Sequence, residues 1–406
     1  MPSLPPPDPS WLEAERRRLW EFARDARHPD GGFAWLDDIG RPELARPVEL
    51  WISARMTHVA ALEVLLGNTS AQDHLDHGVH ALETTMRDPV HGGWYASVGP
   101  DGPVLTEKRC YEHVFVLLAA ASALTAGHPG AGALLADAEA VFDRHFWSDD
   151  EAMCVDVWDR EWSRLEDYRG ANANMHAVEA LLAVHDATGD ARWLDRALAI
   201  VERLVHGVAR DHAWRLPEHF TPDWRPLLDY NRDEPAHPFR PYGVTTGHLL
   251  EWARLAVHVR TAIGPDAPDW LLDHARSLFD TAVRDGWSVD GAEGFVYTTD
   301  FDGDPVVRSR LHWVVAEGIA SAAALGAATS DAAYADWYAV WWDHARRYFV
   351  DEERGSWRHE LDAQNRPAST VWQGKPDIYH AYQASLIASL GEITSFAGVL
   401  ARRRGR

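Results

Sequence analysis

Cysteine is almost missing from this chain: Cys110 and Cys154 are the only two in 406 residues. No disulfide framework can be built on one such pair, which points to a reducing compartment, the cytoplasm. Basic residues are short too, with 39 Lys and Arg against 62 Asp and Glu and a formal net charge of −23. Phosphate backbones need a basic surface, so a nucleic-acid partner is not expected. No apolar run approaches the ~20 residues of a membrane span, so no membrane association is expected either. The opening MPSLPPPDPS has no apolar stretch of the kind a secretion signal carries. Residues 1–9 read as an extended arm and 10–400 as a single domain.

Tryptophan and histidine, in contrast, are plentiful at 20 and 22. Trp in such number fills a large core, and it also makes the flat platforms that sugars bind. The first helix begins at a capping box, Ser10 with Glu13 three residues on, and runs to about Ala26. A short strand–turn–exit pattern follows at 31–42 and recurs at 92–103, 151–162, 212–224, 293–305 and 355–367. Five of the six copies carry an aromatic within three residues of their start, and several carry Asp-Gly, Gly-Arg-Pro or Asn-Arg-Pro turns. A period of about 60 residues, stretched to about 80 once, is a repeat architecture.

Each interval has room for two helices. The first of each pair is apolar nearly all round, as in HVFVLLAAASAL at 113–124, and is therefore buried. The second is amphipathic: in 191–205, Trp193, Leu194, Ala197, Leu198, Val201 and Leu204 share one stripe. Six buried helices ringed by six amphipathic ones predict an all-α (α/α)6 barrel, with the hairpins at the end where the inner helices begin. An open solenoid is the alternative, but neither end of the chain reads as a polar capping repeat.

The starts of the inner helices carry the chemistry. Trp51 and Arg55 lie on the second helix, and Tyr111 and His113 on the fourth. Asn172, Asn174 and His176 follow on the sixth, with the two asparagines suited to capping it, and His248 and Glu251 on the eighth. Arg310, Trp313 and Glu317 are assigned to the tenth and Tyr379 and His380 to the twelfth. Helix N-termini also aim N–H groups at this end, which suits hydroxyl-rich or oxyanionic ligands. A carboxylate at i+3 from a histidine can hold one imidazole nitrogen and leave the other for proton transfer, as in His248/Glu251 and His176/Glu179. Two such bases across a pocket suit proton movement between adjacent carbons, with Arg55 stabilising an enediolate oxygen.

Two other chemistries share these residues. The His-x-x-Glu pairs reverse the Glu-x-x-His motifs of di-metal bundles, but the two further glutamates of such a site are not placed to complete it, and no His-Glu-x-x-His is present. Glu251, Glu317 and Asp377 could supply the carboxylate pair of a glycosidase, yet the centre is richer in histidine than in acids. A sugar-binding protein without catalysis would use the same mouth. No metal and no cofactor is expected.

Five stretches, ELWISARMTHV, HGGWYASV, EDYRGANANMHAVEA, YGVTTGHLLEW and GKPDIYH, occur in this order. Together they resemble the N-acylglucosamine 2-epimerase superfamily, and most closely its aldose–ketose isomerase branch of mannose and sulfoquinovose isomerases. The resemblance covers almost the whole chain and implies an (α/α)6 barrel and a metal-independent proton transfer between C1 and C2 through a cis-enediol. It implies His248 and His380 as the acid/base pair, His248 moving the C1/C2 proton and His380 assisting ring opening. It implies Arg55, Asn172 and His176 on the hydroxyls and the developing O1/O2 charge. Trp51, Tyr111 and Trp313 would complete the wall, and Glu251 would orient His248. Where sulfosugar members carry glutamine, this chain has His359 and Pro376, although Arg240 matches a basic position of that branch. The expected substrate is a neutral monosaccharide, D-mannose to D-fructose and also D-lyxose to D-xylulose. Sulfoquinovose isomerisation and sugar 2-epimerisation remain the alternatives. Oligomeric state, and whether 220–240 forms a lid, are not legible in the sequence.

Overall fold

The computed structural model describes residues 5–405, so the first four residues of the expected arm lie outside the described chain. Helix α1 (Pro9–Phe22) starts earlier than the capping box predicts. Its cap is Asp8, whose carboxylate accepts from Trp11 N at 2.8 Å, and Ser10 donates to that same carboxylate. Proline at the first helical position needs no donor, which lets the helix begin there.

The remaining helices come in two kinds. Buried nearly all round are α2 (Leu50–Leu65), α4 (Cys110–Thr125), α6 (Ala171–Thr188), α8 (Thr246–Ile263), α10 (His312–Thr329) and α12 (Tyr379–Ile387). Alternating with them are α3 (Gln72–Glu83), α5 (Ala131–Val141), α7 (Ala191–Val201), α9 (Trp270–Gly286) and α11 (Ala332–His344), which bury one face. In α7 that face is Trp193, Ala197, Ile200 and Val201, continued by Leu204 in the wider-turned Glu202–Ala209. Leu194 and Leu198, placed on the stripe by spacing, are half-exposed, and Ile200 takes their place.

The chain divides into two compact units. One holds Arg24–Asp37, Arg41–Ile200 and the segment from Thr394 onward. There α4 packs on α2 and α6, α3 backs α2, α5 backs α4, and α13 (Phe396–Arg404) touches all three inner helices. The C-terminal residues are thus mostly helix. Arg402 pairs with Asp186 at 3.1 Å, and Thr394 and Ser395 also donate to that carboxylate. The other unit holds the N-terminal segment to Ala23, Asp38–Gly40 and Val201–Ile393. In it α10 packs on α8 and α12, α9 backs α8, α11 backs α10, and α1 backs α12. The first helix of the chain thereby serves as the partner of the last inner one. Glu15 of α1 accepts from Trp357 Nε1 at 2.7 Å and pairs with Arg18, fixing that docking.

Every repeat keeps its tight turn, closed by bridges such as Leu36 to Pro42, Phe220 to Pro226 and Leu361 to Pro367. Within each unit the two residues leading into an inner helix pair with the next turn. Val48–Glu49 meets Ser97–Gly99, Lys108–Arg109 meets Val157–Trp158, Val244–Thr245 meets Thr298–Thr299, and Arg310–Leu311 meets Glu360–Leu361. These ladders fix where each inner helix begins. The paired glycines have a steric reason at Gly93, with φ +64°: a Cβ there would lie 2.7 Å from the Trp162 ring. No helix among the described residues is long and apolar enough to cross a membrane.

Candidate active site

The first unit gathers a cationic, aromatic group at the starts of α2, α4 and α6. Arg55 is buried, and its Nη2 donates to Tyr111 Oη at 2.9 Å. Its guanidinium lies 4.4 Å from the Phe115 ring centre and 5.1 Å from that of Trp51. A planar cation held on aromatic faces is oriented without losing its charge. Next to it, His176 meets Tyr111 edge-on at 5.3 Å and Phe115 at a tilt at 4.7 Å, with Glu179 3.9 Å from its Nδ1. Trp51, Arg55, Tyr111 and His176 are therefore brought together as predicted. Asn172 is half-buried on the first turn of α6.

Three other residues singled out at helix starts are engaged by the scaffold. Asn174 does not cap α6. Its amide donates to Cys154 O at 3.1 Å and Gly170 O at 2.9 Å, and its oxygen accepts from Cys154 N at 2.8 Å. His113 accepts from Trp94 N at 3.1 Å, and burial pushes its imidazole down to about 3. Arg310 precedes α10 and is tied to Asp290, so it does not serve the helix start as spacing suggested.

The second unit holds two histidine–carboxylate pairs. His248 on α8 donates from Nδ1 to Glu218 Oε1 at 2.8 Å. His380 on α12 donates from Nδ1 to Glu317 Oε1, on α10, at 2.9 Å. A donating Nδ1 leaves Nε2 as the basic nitrogen in each ring. Trp313, half-buried, packs against both, its ring centre 5.2 Å from that of His248 and 5.9 Å from that of His380. Both imidazoles therefore pack against one indole, each with its Nε2 as the basic nitrogen.

Glu251 does not hold His248. It accepts from Arg254 Nη2 at 3.2 Å, and Arg254 Nε donates to Glu317 Oε2 at 2.8 Å. The i+3 spacing places Glu251 on the right face, but the buried Arg254 another turn on competes for it and wins on charge. Burial would raise the Glu317 carboxyl, yet Arg254 and His380 outweigh that and hold it low, at about 2. Glu251, Glu317 and His380 bring their ligating atoms within 4.8 Å of one another, spacing that a divalent cation could use. Arg254 already hydrogen-bonds both carboxylates and brings its own positive charge into the group, so it does not fit a cation.

Behind His380, His312 stacks on His359 at 3.7 Å. Burial, with His312 beside it, pushes His359 well below its ordinary value and keeps it neutral. His359 and Trp372 line a cleft of about 390 Å³. Its loop is pinned by Glu360, which accepts from Val371 N at 2.7 Å and Trp372 N at 3.0 Å, and by Lys375 on Asp351 at 2.9 Å. Arg240 closes the 220–240 insertion, with Nη1 donating to Tyr230 Oη at 3.2 Å, and Phe239 next to it meets Trp372 edge-on at 5.6 Å.

The residues that sequence reasoning missed are Glu218 and Arg254. Glu218 sits in the fourth turn repeat, where no spacing rule links it to His248. Arg254 did carry a signal: it continues the i+3 series from His248 and Glu251, and a cation on a buried helix needs anions.

Comparison with known proteins agrees with this geometry. The family profile described as N-acylglucosamine 2-epimerase (GlcNAc 2-epimerase) matches residues 31–384. A protein of Thermobifida fusca named D-mannose isomerase is 56% identical over 394 residues, covering 97% of each chain. A protein of the same name from Pseudomonas cannabina pv. alisalensis is 48% identical, covering 96% of this chain and 95% of its own. A crystal structure of a D-mannose isomerase superposes with a TM-score of 0.88 at 28% identity, covering 94% of this chain and 97% of that one. These matches over nearly the full length place the chain in the N-acylglucosamine 2-epimerase family of sugar isomerases and epimerases, with that family's (α/α)6-barrel fold.

Proposed function

We propose that this chain is a cofactor-free aldose–ketose isomerase that interconverts D-mannose and D-fructose, and also D-lyxose and D-xylulose, in the cytoplasm. The observation that carries the reading is the pair of Nδ1-anchored imidazoles packed against Trp313. The two relatives named D-mannose isomerase, at 56% and 48% identity, support the substrate. The two thiols, free and buried, support the compartment.

In this mechanism His380 Nε2 takes the O1 proton of the closed sugar and returns a proton to O5, opening the ring. His248 Nε2 then removes the C2 proton. The electron pair forms the C1–C2 double bond of a cis-enediol, and the carbonyl oxygen O1 takes up a proton. Return of the proton from His248 to C1, with loss of the O2 proton, gives the ketose. Each imidazolium formed on the way is stabilised by its carboxylate, Glu218 or Glu317. Arg55, Asn172 and His176 serve the hydroxyls and the charge on O1 and O2, with Trp51, Tyr111, Trp313, Glu251 and Arg240 completing the binding residues. His359, held neutral and stacked on His312, offers no cation to a sulfonate, which supports a neutral hexose.

The test is proton NMR of D-mannose with the protein in D2O and EDTA. The expected result is D-fructose with deuterium entering at the exchanging carbon. Untouched mannose, with turnover of sulfoquinovose or accumulation of a C2 epimer without ketose, would overturn the assignment in favour of that activity.

A further inference from the structure

The cleft lined by His359 and Trp372 has no part in the proposed proton transfers. Its volume of about 390 Å³ lies within the range of small-ligand sites, about 300–1,000 Å³. Part of its inner wall is the buried His359, which stacks on His312 at 3.7 Å. His312 in turn stands edge-on to His380 at 6.4 Å. One imidazole therefore stands between the inner wall of the cleft and the proposed ring-opening group.

Two buried groups shape the opposite wall before any ligand arrives. Glu360 is 2% exposed, and the loop at 370–372 takes up its carboxylate. Val371 N donates to it at 2.7 Å and Trp372 N at 3.0 Å, and the Thr370 hydroxyl donates to its other oxygen. Lys375, equally buried, donates to Asp351 at 2.9 Å and to Gly355 O at 2.7 Å. A buried carboxylate or ammonium is costly to desolvate unless it is engaged in this way. Between these two ties the loop holds Trp372 half-buried at the cleft, braced by Phe239, whose ring stands at 85° to it. An aromatic wall already ordered in the free protein loses little freedom when a ligand binds.

The remaining lining sets the chemistry of that ligand. An indole offers a flat apolar face to a sugar ring. Beside it Glu353 and Arg354 are exposed, and among the described residues their side chains form no ion pair or hydrogen bond. A carboxylate accepts from hydroxyls and a guanidinium donates to them. The other cations of the cleft, Arg358 and Lys375, are already bonded to Asp351 at 3.0 and 2.9 Å. A phosphate or sulfonate would compete with Asp351 for them and would meet Glu353 as well. A neutral ring bearing several hydroxyls meets neither cost.

We propose that this cleft is a second carbohydrate subsite, which takes one neutral hexose ring against Trp372, with Glu360 as the positioning residue that holds Trp372 in place. The subsite goes beyond the proposed reaction, and its occupancy is measured without turnover.

The test is calorimetric titration of the full chain with methyl α-D-mannopyranoside, a glycoside whose ring cannot open. The expected result is a binding event that Trp372→Ala weakens about tenfold, that Arg354→Ala also weakens and that His248→Ala leaves in place. Glu360→Ala weakens the same event. Glu360→Gln, whose amide oxygen still accepts from Val371 N and Trp372 N, restores most of it, which separates positioning from a general loss of fold. Arg354 is exposed, so its variant still decides the matter should a loop variant fail to fold.

Mannobiose distinguishes a free hexose from one ring of a longer sugar. As part of a longer sugar it binds about tenfold tighter than the methyl glycoside, and as a free hexose site the cleft binds both alike; Trp372→Ala weakens the event in either case. Absence of binding, or binding that responds to His248→Ala alone, overturns the inference. A protein inactive on every sugar would sink the proposed function while this titration still reads the cleft.

Discussion

Glu218 accepts a hydrogen bond from His248 Nδ1 at 2.8 Å although the two residues are 30 apart in sequence. The bond fixes the proton on Nδ1 and leaves Nε2 basic, and Glu218 stabilises the imidazolium once a substrate proton arrives. Glu218→Gln keeps the size of the side chain but removes the charge. The expected outcome is a loss of roughly 10²-fold in kcat with KM nearly unchanged, because the interaction strengthens only as the ring becomes charged. Steady-state kinetics on D-mannose check this. A rise in KM at constant kcat would instead make Glu218 a binding residue.

His248 and His380 are expected to fail differently. Each alanine variant should lose on the order of 10²–10⁴ in rate. His380→Ala should slow a ring-closed sugar more than an open-chain analogue, because ring opening is the step it loses. Equal losses on both substrates would remove that division of labour.

Tyr111 receives the Arg55 Nη2 hydrogen at 2.9 Å and stands edge-on to His176 at 5.3 Å. Tyr111→Phe keeps the ring contact and deletes the acceptor for a guanidinium. A hydrogen bond to a charged group contributes about 1.5–3 kcal/mol, so kcat/KM should fall roughly tenfold or more while the melting temperature holds. Kinetics alongside thermal unfolding separate the two effects.

The turn repeat and the alternation of buried with one-faced helices were legible because they follow from apolar spacing, which is local. So was the concentration of Arg55, Tyr111, His176, His248 and His380 at inner-helix starts. What could not be read were partners set by tertiary packing. His248 takes its carboxylate from the turn that precedes its own helix, 30 residues back, because Arg254 on that helix has already engaged Glu251. The first helix begins at Pro9, capped by Asp8, because proline tolerates the N1 position, a preference that outweighed the Ser10 capping box. Asn174 looked like a helix cap, yet its amide serves the strand at Cys154, since the lead-in to α6 extends straight into the helix.

Chelation should leave activity intact. Among the described residues of the second unit, the cluster with spacing for a divalent cation, Glu251 with Glu317 and His380, already shares the Arg254 guanidinium. Dialysis against EDTA followed by assay is expected to retain full rate. Loss of activity, restored by one divalent ion, would place a metal in the mechanism.

Glu112 gives the fold its own pH dependence. It sits in the first turn of α4 with Oε2 buried and unbonded, and Arg109 is 3.6 Å from its other oxygen. Burial raises its carboxyl to about 7, against a usual value of 4.5, despite the Arg109 charge. Glu49, at the start of α2, is likewise raised to about 7, first by burial and then by Glu112. A carboxyl with a raised folded value binds its proton more tightly in the native chain than in the unfolded one. Its contribution is fully present below about pH 4.5 and is lost as pH rises through about 7. Glu112→Gln removes that loss and one of the causes acting on Glu49. The variant should therefore match the wild type near pH 4.5 and exceed it increasingly up to about pH 7, by on the order of 3 kcal/mol above that. Chemical denaturation of both proteins at several pH values measures the difference directly. A constant offset across the range would mean that the Glu112 carboxyl titrates alike in the folded and unfolded chains.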